Sequence, residues 1–119
     1  MTALLVAAAL AGTPTISTSY CLSGRMADGS YVRAGSVAHN GFALGTRIWV
    51  EPAFFGRHRF TVRDRIGWGT QLDFWAPTCA RAFAWGRRVV RVTRGWKPRK
   101  RYVHVLVPEG PRPYGYRRP

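Results

Sequence analysis

The stretch VRDRIGWGTQLDFW, residues 62–75, joins two apolar segments through a glycine-containing loop and carries an aspartate near each end. In the preceding run HRFTVRD, residues 58–64, Phe60 and Val62 alternate with polar side chains. The run QLDFW, residues 71–75, is short, apolar and rich in residues that favour strands. Alternation with a period of two is typical of a half-buried strand. The stretch therefore predicts two neighbouring strands with a loop between them.

Similar short patterns precede and follow this stretch. TRIWVE, residues 46–51, places Ile48 and Val50 on one face, and Pro52 is expected to end that strand. CARAFAW, residues 79–85, predicts a helix because a proline precedes it and a glycine follows it. Further strands are predicted at 17–22, 31–33, 87–93 and 101–107, and Val37-Ala38 is a short apolar pair. Many short strands, one short helix and frequent glycine turns predict an all-β domain, either a small barrel or a sandwich.

The charge of the chain indicates an anionic partner. Its 19 Lys and Arg residues outnumber 5 Asp and Glu residues, which gives a formal net charge of +14. Nucleic acid, an acidic cell-wall polymer or a layer of lipid head groups would each suit such a surface. The segment GWKPRKRY, residues 95–102, and the tail 108–119 mix basic and aromatic side chains, which suits single-stranded nucleic acid and anionic wall polymers alike. The tail has no periodicity, and we expect it to be disordered.

The N-terminus bears on the cellular compartment. MTALLVAAALAGT, residues 1–13, is too short to span a bilayer as a helix and ends in an A-x-A-like cleavage site. The positively charged start of a signal peptide is missing, so the alternative is a buried first strand or helix. We expect a leader and export. In an exported chain Cys21 and Cys79 would pair, whereas in a cytosolic chain they would be two buried thiols.

Two acidic residues are candidates for chemistry. Asp64 lies between Arg63 and Arg65, where it either caps the glycine loop through backbone N–H groups or serves in a site. Asp73 lies within an apolar strand, where a carboxylate is costly unless it is paired or hydrogen-bonded. It therefore either bonds an arginine or lines a cleft. His39 would be a packing residue on composition alone. The sequence contains neither zinc-type His/Cys spacing nor a phosphate-binding glycine loop, so we expect no metal and no cofactor.

Taken in chain order, several segments resemble one family: YCLSGRMADG, VAHNGFALGTRIWV, VRDRIG, QLDFW and CARAFAWGRRVVRV. They resemble the double-psi β-barrel domains of the rare-lipoprotein-A type and the related three-aspartate domains, with expansins and barwin as more distant relatives. AHNGFALGT is similar to the signature AHKTLPLGT, which places His39 on the family histidine. VRDRIG is similar to VxDRGP, which places Asp64 on the family aspartate, and QLDFW places Asp73. Residues 37–39 contain no acid, so the full three-aspartate set is not present.

The resemblance implies a fold and its boundaries. It implies an all-β, small six-stranded double-psi β-barrel with one short helix, over residues 16–107 with its core at 16–92. The segment after the core would add a C-terminal strand. The cysteines look like a variant in which Cys21 and Cys79 tie the first strand to the helix.

The resemblance also implies a function in the bacterial cell wall. The chain would be a secreted or cell-envelope protein, monomeric, that cleaves the glycan strand of peptidoglycan in the manner of a lytic transglycosylase. Asp64 would be the general acid/base with His39 as its assistant, and Asp73 a second carboxylate or, on the three-aspartate pattern, the catalytic one. Two other functions stay open: a non-catalytic, expansin-like polysaccharide-binding barrel, and a nucleic-acid-binding or virion protein. Candidate substrate-binding residues are Trp68, Trp49 and Arg65, although core packing would explain the tryptophans equally well.

Overall fold

The fold is given by a computed structural model that describes residues 2–10, 12–96 and 100–108. The strands are β1 (Thr2–Leu10), β2 (Thr13–Tyr20), β3 (Ser36–Ala38), β4 (Arg47–Phe54), β5 (Arg57–Asp64), β6 (Leu72–Trp75), β7 (Arg88–Arg94) and β8 (Lys100–Pro108), and the one helix is α1 (Cys79–Trp85). The tail predicted to be disordered lies outside the described residues from position 109 onward.

The chain divides into two compact units. In one of them β1 and β8 form a two-stranded antiparallel sheet, with Thr2 opposite Pro108 and Leu10 opposite Lys100. The C-terminal strand predicted at 101–107 is therefore present, and its partner is β1. In the other unit the six strands β2 to β7 close into a barrel. The prediction of a small all-β six-stranded barrel with a single short helix is confirmed.

The strand order around the barrel is β2-β6-β3-β5-β4-β7. The pairs β2–β6 and β3–β5 are parallel, and the other described pairs in the ring are antiparallel. If β2, β3 and β4 are exchanged with β5, β6 and β7, respectively, the same neighbours and the same parallel and antiparallel pairs result. The order thus has an internal twofold relation, and it is compatible with a double-psi barrel.

The barrel interior is filled by the apolar positions of the alternating strands. Ile48, Val50, Phe60 and Val62 are each at most 1% exposed, as the period-two pattern predicted. The aromatic rings of Phe54, Phe74 and Trp85 pack together beneath the helix, with centroid separations of 4.7 to 5.6 Å.

Ser17 pairs the buried indole N–H of Trp85. The indole N–H of Trp85 donates to Ser17 Oγ at 3.0 Å, and that hydroxyl donates to the Arg88 carbonyl at 2.7 Å. A buried N–H without a partner would destabilise the fold. The Ser17 hydroxyl therefore allows Trp85, the last residue of α1, to be buried in the core.

Two local predictions are corrected by the structure. Residues 31–33 do not form a strand, because the backbone there is satisfied by turn hydrogen bonds and only an isolated bridge joins Arg25 to Tyr31. Pro52 does not end its strand, since β4 continues to Phe54. The β4–β5 register shifts between Trp49 and Phe54, so Pro52 lies in an irregular stretch where its missing N–H removes no bond of that ladder.

A disulfide joins Cys21 to Cys79, which confirms the predicted pairing. It connects the residue after β2 to the first residue of α1. Disulfides persist in oxidising compartments, so the bond indicates an extracytoplasmic environment. The described residues contain no helix that is both long and apolar enough to cross a membrane. Residues 2–10 form β1, and the cleavable leader stays a prediction.

Candidate functional site

The two candidate carboxylates are brought together by the short strand β3. Ala38 of β3 pairs with Asp64 of β5 on one side and with Asp73 of β6 on the other. Thr18 of β2 continues the same row by pairing with Asp73. Neighbouring strands are about 4.8 Å apart, so the Cα atoms of the two aspartates lie roughly 10 Å apart across the sheet. Ala38, whose side chain is a methyl group, is the one residue between them in this row.

Both aspartates line one surface groove of about 420 Å³. Tyr20, Arg65 and Trp68 line it with them. The Trp68 side chain is 86% exposed, so it offers a ring face to a ligand without serving the core. Of the residues predicted from the sequence, the structure thus gathers Asp64, Asp73, Trp68 and Arg65 in one place.

Asp64 is held by three hydrogen-bond donors. Its Oδ1 accepts from the backbone N–H groups of Ala27 at 3.0 Å and of Arg65 at 2.9 Å. Its Oδ2 accepts from the Tyr20 hydroxyl at 3.2 Å. Burial raises the pKa of Tyr20, and the neighbouring Asp64 charge raises it further, so the phenol remains a donor. Asp64 therefore caps the loop through backbone N–H groups and also lines the groove.

The arginines that flank Asp64 make their contacts elsewhere. Arg63 forms an ion pair with Asp28 at 3.9 Å. Arg65 Nη1 donates to the backbone carbonyls of His39, at 2.6 Å, and of Phe42. No guanidinium among the described residues pairs with Asp64, and Arg65 braces the turn at 39–42.

Asp73 is less completely bonded than Asp64. Its Oδ1 accepts from the Thr18 hydroxyl at 3.0 Å, and no described group donates to its Oδ2. Burial raises the pKa of Asp73; the Thr18 bond opposes that rise and the negative charge of Asp64 adds to it. Asp73 consequently keeps its proton to a higher pH than an ordinary aspartate, with one oxygen free in the groove.

His39 shapes a turn and does not line the groove. Its Nδ1 accepts from the N–H groups of Gly41 at 2.9 Å and Phe42 at 3.1 Å, so the ring proton of the neutral form must be on Nε2. Burial lowers the pKa of His39, the Thr70 backbone raises it, and Arg65 lowers it further. A Cβ on Gly41 would lie 2.9 Å from His39 Cε1, which explains the glycine. An assistant role toward Asp64 has no support in this arrangement.

Trp49 lies outside the groove of the aspartates. Its ring stacks on His58 with centroids 4.6 Å apart and an interplanar angle of 1°, and its N–H donates to Glu51 at 2.9 Å. It lines a separate groove on the β4–β5 hairpin. Its candidate role in substrate binding therefore stays a prediction, and the groove of the aspartates does not include it.

Sequence reasoning missed several residues of the site. Tyr20 and Thr18 each give a hydroxyl to one aspartate, and Asn40 ties the 66–69 loop to the 39–42 turn through bonds with Ile66 and Gly69. The two-residue spacing of Thr18 and Tyr20 on a predicted strand was the available signal, because it places both hydroxyls on one face.

Known proteins give no guide to this site. The chain has no significant match among protein-family models, curated proteins or solved structures. The described part of the chain also holds no group of three or more His, Cys, Asp or Glu side chains arranged to bind a metal ion.

Replacing His39 tests its role in the turn. We expect His39→Ala to lower the free energy of unfolding by about 1–2 kcal/mol, because two backbone N–H groups lose their acceptor. His39→Asn supplies an amide oxygen near the same place and is expected to recover most of that loss. Urea denaturation of the three proteins measures the difference. Equal destabilisation by both substitutions would contradict the acceptor role.

The stability of Asp73→Asn relative to wild type should depend on pH. The folded-state pKa of Asp73 is raised, so its stabilising contribution is fully present below the unfolded pKa and is lost as the pH rises through the folded pKa. We expect the relative stability of Asp73→Asn to rise as the pH increases above about 4, the ordinary pKa of an aspartate. Urea denaturation at increasing pH measures it.

Asp28→Asn is the matched control for this titration. Hydrogen bonds from Ser30 lower the pKa of Asp28, so its stabilising contribution is present above the unfolded pKa and is lost as the pH falls. The relative stability of Asp28→Asn should therefore fall as the pH rises. The same trend in both variants would overturn the assignment of the raised pKa to Asp73.

Proposed function

We propose that the chain is an extracytoplasmic protein that binds the glycan strand of peptidoglycan in the aspartate groove and cleaves it in the manner of a lytic transglycosylase. The observation that carries the proposal is the pairing of Asp64 and Asp73 on either side of Ala38 in an open groove. Two carboxyl groups in different environments are what glycosidic cleavage uses. The disulfide supports an oxidising location, where this polymer is found.

The contacts of the two aspartates favour Asp73 as the proton donor. Burial raises its pKa, and its Oδ2 has no described protein partner. Asp64 has its oxygens engaged by Tyr20, Ala27 and Arg65, which suits a fixed negative charge. The resemblance gave the acid role to Asp64 first and to Asp73 on the three-aspartate pattern. The geometry supports the second of these assignments.

The proposed reaction follows from this division of roles. Asp73 gives its proton to the glycosidic oxygen as the bond from that oxygen to the anomeric carbon breaks, and the leaving sugar departs with a hydroxyl group. The positive charge that develops on the ring is stabilised by the Asp64 carboxylate. A hydroxyl of the same sugar then attacks the anomeric carbon and returns its proton to Asp73. The product is an intramolecular anhydro sugar, and no water is consumed.

Incubation with purified peptidoglycan tests the proposal. We expect anhydro-muropeptides from the wild-type protein, detected by mass spectrometry, and a loss on the order of 100-fold or more in Asp73→Asn because the proton donor is removed. Asp28→Asn, a carboxylate-to-amide change outside the groove, should keep wild-type activity. Absence of anhydro products from the wild type, or full activity in Asp73→Asn, would refute the enzymatic proposal.

A non-catalytic polysaccharide-binding role is the second candidate. It is favoured by the three hydrogen bonds on Asp64, which serve the structure of the loop whether or not chemistry occurs. In that case wild type and Asp73→Asn would sediment equally with peptidoglycan and neither would release product.

Both candidates require Trp68 to contact the glycan. We expect Trp68→Ala to weaken co-sedimentation with peptidoglycan about tenfold, since the apolar contact of one ring is removed. Its stability should stay at the wild-type level because the ring is 86% exposed. Phe83→Ala, which removes an 85% exposed ring on α1, is the control and should bind like wild type. Equal losses in the two variants would show that the groove is not the binding site.

A further inference from the structure

A second groove, of about 410 Å³, lies on the hairpin formed by β4 and β5. Its lining is aromatic and cationic and consists of Trp49, Phe55, Gly56, Arg57, His58 and Arg59. We propose that this hairpin groove binds a linear phosphodiester polyanion that lacks bases, of the poly(glycerol phosphate) type. The proposal is independent of the cleavage reaction and concerns a different surface of the barrel.

Two arginines supply the positive charge. Arg57 and Arg59 are exposed and lie two positions apart on β5, so their Cα atoms are about 7 Å apart on one side of the strand. The one ion pair in the described part of the chain is Arg63–Asp28, which leaves both guanidinium groups without a carboxylate. Guanidinium groups match phosphate oxygens by paired hydrogen bonds. A polyanion whose charged groups are about 7 Å apart could therefore accept hydrogen bonds from both arginines.

The aromatic residues of the groove are already fixed in place. Trp49 and His58 stack at 4.6 Å with an interplanar angle of 1°. His58 Nδ1 bonds the Val50 carbonyl at 2.7 Å, and since a carbonyl only accepts, the ring donates there. Trp49 is oriented by its bond to Glu51, whose carboxylate is thereby engaged outside the lining. The stacked pair leaves no gap between its own two rings in which a nucleobase could insert.

The tip of the hairpin places an aromatic residue in a conformation that non-glycine residues rarely adopt. Phe55 has φ of +46° and the next residue, Gly56, has φ of +83°. A non-glycine residue in this region is strained, and Asn, Asp or Gly is the usual choice in such a turn. Phe55 nevertheless stands there with 47% of its surface exposed and the Arg81 guanidinium 5.5 Å above its ring. The ring packs edge-on against Phe54 at 4.9 Å, and its exposed part adds an aromatic surface to the groove.

Spacing and compartment select among polyanions. Successive phosphates joined through a three-carbon unit repeat at a distance close to the Arg57–Arg59 separation, whereas carboxylates on a glycan strand recur at wider intervals. The disulfide indicates an extracytoplasmic location, where such polymers are available to an anchored or exported protein. A phosphodiester chain running along β5 would thus contact both arginines in register.

Binding to immobilised poly(glycerol phosphate), measured by biolayer interferometry at several salt concentrations, tests the inference. For the double variant Arg57→Gln/Arg59→Gln we expect Kd to rise at least tenfold. The slope of log Kd against log salt concentration should fall by about 1 to 2, because two phosphate contacts are lost. Arg33→Gln/Arg87→Gln removes the same charge from exposed positions outside the groove and is expected to change Kd less than threefold. Phe55→Gly should also weaken binding while keeping the hairpin turn.

Three results would overturn the inference. One is equal weakening by the two double variants, which would show a diffuse charge effect. Another is tighter binding of wild type to oligothymidylate with the same number of phosphates, which would show a nucleic-acid site. The third is the absence of binding to poly(glycerol phosphate) by wild type. Cleavage of phosphate-free peptidoglycan by Arg57→Gln/Arg59→Gln should match wild type, so failure of the cleavage proposal and failure of this one are read separately.

Discussion

The pairing of Ala38 with Asp64 on one side and Asp73 on the other is the contact on which the rest of the structure depends. The strand β3 is three residues long and wholly buried, and it alone joins β5 to β6 in the closed ring. Without it the ring would open at that point and the two carboxyl groups would separate. The same ladder therefore closes the fold and sets the distance between the groups proposed to act on the glycan. Fold and candidate site have one physical cause.

Placing two carboxyl groups near one another raises the electrostatic cost of ionising both, and the structure divides that cost unevenly. Strand β2 faces the pair with two hydroxyls, one from Tyr20 toward Asp64 and one from Thr18 toward Asp73. Backbone N–H groups add further donors to Asp64 alone. The uneven bonding places two chemically alike side chains in different hydrogen-bonding environments. The Cys21 disulfide directly follows Tyr20 and so restrains the strand that makes this division.

Much of the barrel could be predicted because its signals are local. Alternation identified β4 and β5, and flanking proline and glycine located α1 at its observed bounds. The site was predicted in part, since Asp64, Asp73, Trp68 and Arg65 share a groove. The places of Tyr20, Thr18 and Trp49 depend on which strands are neighbours, and that order joins segments far apart in the chain. The strand predicted at 31–33 failed for a local reason. Turn hydrogen bonds within residues 24–32 take up the backbone groups that strand pairing would have used.

The antiparallel pairing of β2 with β7 has a consequence for how the barrel can be joined to other protein. Thr13, where the barrel begins, lies opposite Val92, near where it ends. The entry and exit of the ring are thus one strand spacing apart. A domain whose ends are adjacent can be inserted into a loop of an unrelated protein without separating the two sides of that loop. It can also be circularly permuted, with a short linker joining its ends and new termini in another loop. The barrel could therefore be inserted into another protein as a unit, because the Thr13–Val92 pair holds its two ends together.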